Sequence, residues 1–244
     1  MSEKQIVIEI VEYFNKNIFE NHLQSILKKH TKLKSYKINP ILVKYLSKLL
    51  EDNYTPKGVA KALMYPRVLG TSINTSFGAV IQKMFVELGI AEGSMISGMD
   101  IDFIDKKDKR KKWCQLKSGP NTINSEDVAP LIAKFNSTIN LARTNYSFKN
   151  INNTDFVVGV LYGSENELSM HYKKIDKLFP IYIGKEFWYR LTGSQNMYSD
   201  LVEALHENIS SLKKKNTINL GLEILEEEIS NSSLFEFKSR NLGI

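Results

Sequence analysis

The apolar rhythm of this chain changes abruptly at Asp100, and that change does most to limit what it can fold into. Asp100-Ile101-Asp102-Phe103-Ile104-Asp105 alternates with period two, and Lys112-Trp113-Cys114-Gln115-Leu116-Lys117 alternates again. A short charged turn separates the two stretches, so together they predict a β-hairpin. Everything upstream has a helical period instead. From Gln5 to about Lys34 apolar residues recur at Ile6, Ile10, Tyr13, Phe14, Leu23, Ile26 and Leu27, the spacing of one long helix or two consecutive ones. Pro40 suits a first helical turn, with Ile41 to Leu50 following. Thr55-Pro56 is a cap and first-turn pair for a further helix that should stop near Pro66. Ser72 or Thr75 can cap the next, which closes at Gly89.

Downstream, Ser125-Glu126-Asp127 opens a helix to about Ala142. Phe156 to Leu161 is an apolar, β-branched run suited to a buried strand, and Phe179 to Ile183 is a second. Lys185 to Leu191, Tyr198 to Leu212 and Leu220 to Ile229 read as helices. Helices precede, interrupt and follow few strands, so the class is α/β: a small mixed β-sheet flanked by helices, with an N-terminal helical region. We divide the chain into a helical part, 1–65, and a core, 66–244, that ends in helices. The helical part carries more apolar face than a small sheet can cover, which makes it the expected dimerisation region.

Composition enters through charge. The 244 residues hold 33 Lys+Arg against 27 Asp+Glu, a net +6, which leans towards a polyanionic partner. The excess is concentrated: Lys106 to Lys112 reads KKDKRKK, six cations around Asp108, with further basic runs at Lys28 to Lys37 and Lys213 to Lys215. Acidic residues gather at Glu223, Glu226, Glu227 and Glu228. Such runs are ordinarily hydrated faces. No apolar run approaches about 18 residues, so no membrane partner is expected. Glu3, Glu9 and Glu12 interrupt the N-terminus in a way that a secretory signal does not. The single cysteine, Cys114, fits a reducing cytoplasm.

Side chains two apart on a strand share a face. If Ile101, Phe103, Cys114 and Leu116 turn to the core, Asp100, Asp102, Gln115 and Lys117 project together from the other side. Carboxylates that can hold Mg²⁺ beside an ammonium form the set that phosphodiester hydrolysis needs. The same spacing also describes a solvated hairpin with polar residues outward, since no hydrophobic residue is counted on that face.

The wider text separates the two readings. YPRVLGTSINTSFG at Tyr65 to Gly78, SGMDIDFID at Ser97 to Asp105, WCQLKSGPNTINSEDV at Trp113 to Val128 and IGKEFWYRLTG at Ile183 to Gly193 resemble the type II restriction endonucleases of the PD-(D/E)XK superfamily. Among these the chain is most similar to the EcoO-type enzymes that cut at sites with a GGNCC core. The resemblance implies a restriction-endonuclease-like core and a Mg²⁺-dependent homodimer that cuts palindromic double-stranded DNA and leaves 5′-phosphate and 3′-hydroxyl ends. It also implies a cognate DNA methyltransferase in the same bacterial system. By position, Asp100 is the first acid of the motif and Lys117 its lysine. Gln115 stands where most relatives have Glu or Asp, and a neutral amide is the poorer Mg²⁺ ligand. Asp102, an acid of the preceding helix such as Glu87, or Gln115 alone would complete the metal site. Asp102 is favoured because it shares the face of Asp100. The backbone carbonyl of Leu116 is a further ligand in relatives.

Candidate DNA contacts are Arg67, Asn121, Asn124, Lys109, Arg110 and Arg143, each set against a plainer role as surface charge, turn or cap. Asn121 and Asn124 can pair bidentately with adenine edges. Trp188 is more readily core than a stacking platform, and Cys114 a small buried apolar residue. Four histidines with one cysteine have no zinc-like spacing. Two other functions stay open on these residues: a structure-directed or repair nuclease of the same fold, and an inactive DNA-binding module in which Gln115 marks a decayed site.

Overall fold

The structure, a computed structural model, describes residues 2–144, 151–211 and 216–235. The helical periods become α1 (Glu3–Phe14), α2 (Pro40–Glu51), α3 (Pro56–Pro66), α4 (Ile73–Glu87), α5 (Ser125–Thr144), α6 (Met170–Asp176), α7 (Lys185–Thr192), α8 (Met197–Ser211) and α9 (Thr217–Ser230). The strands are β1 (Glu92–Gly93), β2 (Ile101–Ile104), β3 (Lys111–Lys117), β4 (Phe156–Val160) and β5 (Ile181–Ile183). The protein is therefore mixed α/β, as its periodicity predicts.

The five strands form one sheet in the order β1-β2-β3-β4-β5. β1, β2 and β3 pair antiparallel, while β3, β4 and β5 run parallel. A parallel neighbour requires a crossover, and α5 with the segment after it carries the chain from β3 to β4. Ile101 lies across from Cys114 and Phe103 across from Lys112, so these four share one face. There Phe187 packs so closely on Gly159 that a Cβ at that glycine would stand 2.4 Å from its ring. Phe85 and Trp188 complete this layer. On the other face Leu131, Phe135 and Ile139 of α5, spaced four apart, bury against Trp113, Phe156, Val158 and Val160.

These elements belong to one compact unit, residues 1–13 with 78–210. A second comprises 14–77 with 211–244. Its core joins Val59, Ala60 and Met64 of α3 to Leu222, Leu225 and Ile229 of α9. The units divide the chain elsewhere than at 65/66 because α9 buries its apolar stripe against α3. Asn39 Oδ1 caps α2 by accepting from the Ile41 and Leu42 amides at 3.0 and 3.3 Å, and Thr55 Oγ1 caps α3 by accepting from Gly58 at 3.0 Å. Ile41, Leu42, Tyr45 and Leu49 of α2 face outward, 55–79% exposed.

One expected break is absent. The helix does not stop at Pro66; it continues through wide, π-type turns at Arg67–Ser72 into α4. The wider turn absorbs the missing proline N–H and carries Val68 into the core. Neither Ser72 nor Thr75 caps a helix start: Ser72 lies within the continuing turn with its Oγ 3.5 Å from His22 Nδ1, and the Thr75 hydroxyl donates back to the Thr71 carbonyl at 2.8 Å. Among the described residues no helix is long and apolar enough to cross a membrane.

Candidate active site

The hairpin brings the predicted set together. The Asp100 amide donates to the Cys114 carbonyl at 2.8 Å, which carries the β2–β3 register one residue further and sets Asp100 across from Gln115. Gln115 and Lys117 follow on the same face of β3, opposite to Cys114 and Leu116. The carboxylate is tied down as well: the Leu116 amide donates to Asp100 Oδ2 at 2.7 Å. Asp100 is half-buried, and burial pushes its carboxyl above the usual carboxylate range. The Leu116 amide and the nearby ammonium groups of Lys117 and Lys134 pull the other way.

Two buried acceptors on this face, Gln115 Oε1 and Asp102 Oδ1, have no hydrogen-bond partner. Each such orphan costs about 1–3 kcal/mol. A hard cation beside Asp100 would relieve the first, so the residues fit a Mg²⁺ site built from Asp100, Gln115 and the backbone carbonyl of Leu116. Asp102 shares the face, but its Oδ2 is held by Lys111 Nζ at 3.1 Å. It lines a larger cavity, about 780 Å³ along the β1 edge, together with Glu92 and Lys111. Glu87, at the end of α4, accepts a hydrogen bond from Tyr13, whose hydroxyl is pushed up to about 12 by burial and by that carboxylate. Among the described residues no group of three or more His, Cys, Asp or Glu side chains is placed to hold a metal ion.

The face is no open solvated surface. Trp113 sits on it, across from Asp102, and stacks on Phe156 at 5.1 Å. Parity alone puts Trp113 there, which removes the apolar-free face that the sequence reading assumes. α5 then roofs the site. Gln115, Lys117, Asp127, Leu131 and Lys134 line a cavity of about 160 Å³. Lys134 is absent from the sequence-derived set, since no local pattern says which face of a helix will meet which strand.

Beyond Lys117 the chain enters the loop that carries Asn121 and Asn124. It is anchored from below: Thr122 Oγ1 meets the Gly119 carbonyl and the Tyr172 hydroxyl, both at 2.9 Å. Asn121 is exposed at its turn. Asn124 caps α5, its Oδ1 accepting from Glu126 and Asp127 amides at 2.8 and 3.1 Å while Asp127 reciprocates. The cap is thus Asn124 rather than Ser125.

The other tip of the hairpin is chemically different. Arg110 grips Asp155 through Nε and Nη2. Lys112, fully buried, meets Asp108 at 2.7 Å, the Thr154 carbonyl at 3.1 Å and Asp155 at 3.4 Å. Arg190 holds Asp105 at 2.6 Å and Glu186 at 2.7 Å, and Lys107 reaches Glu186 at 3.1 Å. Burial alone would raise the carboxyls of Asp155 and Asp108. Arg110, the Asn152 amide and Lys112 on the first, and Lys112, the Arg110 amide and Arg190 on the second, together more than offset it and hold both below the usual range. Most of the cationic run is therefore spent on internal partners. Lys109 stays exposed, at a left-handed φ of 61°.

Trp188 is core, donating from Nε1 to the Leu161 carbonyl at 2.9 Å, and Cys114 is buried. Arg67 belongs to the second compact unit, apart from the hairpin's own. The Arg143 side chain and Lys213 to Lys215 lie outside the described residues.

The model of the family described as type II restriction endonuclease EcoO109I matches residues 3–216. Among curated proteins no similar sequence is found.

Proposed function

The chain belongs to the EcoO109I family of type II restriction endonucleases, and on that footing we propose that it hydrolyses phosphodiester bonds in palindromic double-stranded DNA with a GGNCC-like core. The observation that supports this most is the meeting of Asp100, Gln115 and Lys117 on one sheet face under α5, with Gln115 Oε1 buried and unpartnered. Asp100, Gln115 and the Leu116 carbonyl would hold Mg²⁺, and Asp102 keeps one oxygen on Lys111. When bound, the ion polarises the phosphate and eases deprotonation of water. The ammonium of Lys117 orients the attacking water and offsets the charge that builds on the phosphate oxygens. Cleavage leaves 5′-phosphate and 3′-hydroxyl ends.

Two cuts in a palindrome need two copies of the site, and the outward apolar residues of α2 supply a surface for a second copy of this chain. The reading also places the protein in the bacterial cytoplasm with a methyltransferase that protects the same sites. Asn121, on an anchored loop next to Lys117, is the base-reading candidate with its side chain exposed. Incubating the protein with plasmid DNA and Mg²⁺, then sequencing the fragment ends, tests the assignment. Discrete fragments with one recurrent end sequence are expected. An uncut plasmid, or ends without a common sequence, overturns it.

A further inference from the structure

Lys134 is held at the same cleft from the opposite layer. Leu131, Phe135 and Ile139 form the buried stripe of α5, and Lys134, one residue before Phe135, emerges on its flank. Its side chain is half-buried and lies across Gly98. A Cβ at Gly98 would stand 1.3 Å from Lys134 Cε and 1.8 Å from Nζ, and the glycine itself has φ +88°. Only a residue without a side chain leaves that path open. The path leads to the segment just before Asp100, where the ammonium acts on the Asp100 carboxylate, and to the cavity that Gln115 and Lys117 share.

Two ammonium groups line one small cavity, and neither makes an ion pair among the described residues. Asp127 lines it too, but its carboxylate is engaged with the Asn124 amide. Gln115 contributes no charge where an acid would have paired with one of the lysines. A cleft that offers ammonium donors from two layers, neither of them ion-paired among the described residues, suits a phosphate.

We propose that Lys134 is a second cation that touches the substrate, donating to a non-bridging oxygen of the phosphate at the cut and sharing with Lys117 the charge that develops there. The inference rests on the nuclease reading of this site. It is tested on the full-length protein with Lys134→Ala, Lys134→Arg and Lys117→Ala, using a plasmid-derived duplex that the parent cuts.

With Ca²⁺ replacing Mg²⁺, DNA affinity is measured across a salt series. Lys134→Ala should bind with a slope of log K against log salt that is shallower by about 0.9, one phosphate contact. In Mg²⁺ its single-turnover cleavage should fall on the order of 10²-fold, and Lys134→Arg should recover the slope and most of the rate. A parental slope in Lys134→Ala, whatever its rate, overturns the contact. A parent that does not cut, or a Lys117→Ala variant that cuts normally, instead overturns the nuclease reading.

Discussion

The two tips of the β2–β3 hairpin carry similar residues and treat them in opposite ways. At the turn, Arg110, Lys112, Asp105, Asp108 and Asp155 are bound to one another and to Arg190, and Lys112 reaches this with no exposure to solvent. At the far tip Asp100, Lys117 and Lys134 approach one another, yet neither lysine is ion-paired among the described residues and a buried amide oxygen goes unanswered. Burying charge is tolerable only when partners are complete. The turn meets that condition and the far tip does not. Charges that the fold leaves unanswered are the ones available to a ligand, so the densest cationic run in the sequence is mostly scaffold and the sparser set is the site.

That contrast can be broken from either side. Asp155→Asn should act on stability alone. Lys112 would lose one of its two carboxylates in a fully buried position, at a cost of about 3–5 kcal/mol, read as a lower urea midpoint, while the cleavage rate of the folded fraction stays at the parental value. Gln115→Glu should act on the site alone. A carboxylate in place of the orphaned amide oxygen should tighten Mg²⁺ binding about tenfold in calorimetry, roughly 1.4 kcal/mol, with little change in melting temperature.

Acid titration of Asp155 at the turn gives the smallest effect. Asp155 has a folded pKa below its unfolded value of about 3.9, so its contribution is complete above that pH. It is lost as pH falls through the depressed folded value. Stability measured against pH should show a steeper acid limb in the parent than in Asp155→Asn.

Sequence periodicity carried a large part of this. Alternation in residues 100–105 and 112–117 placed Asp100, Asp102, Gln115 and Lys117 on one face, and the register of β2 on β3 agrees. Pro66 misled because a rule about local backbone cannot see that Val68 gains more by entering a core than the helix loses at a proline. The charged turn misled for a related reason. Asp155 and Arg190 lie 45 and 80 residues beyond Arg110 in the chain, and only the parallel pairing of β3 with β4 and the packing of α7 bring them to it. Lys134 and Gly98 are legible only together, and nothing short of the folded contact joins them.

The central claim is that phosphodiester chemistry resides at the unpaired tip. Single-turnover cleavage of plasmid DNA in Mg²⁺ by Lys117→Ala, beside the parent and with thermal melts of both, tests it most directly. The account predicts a loss on the order of 10³-fold with an unchanged melting temperature and measurable DNA binding. Cleavage by Lys117→Ala at the parental rate would contradict it.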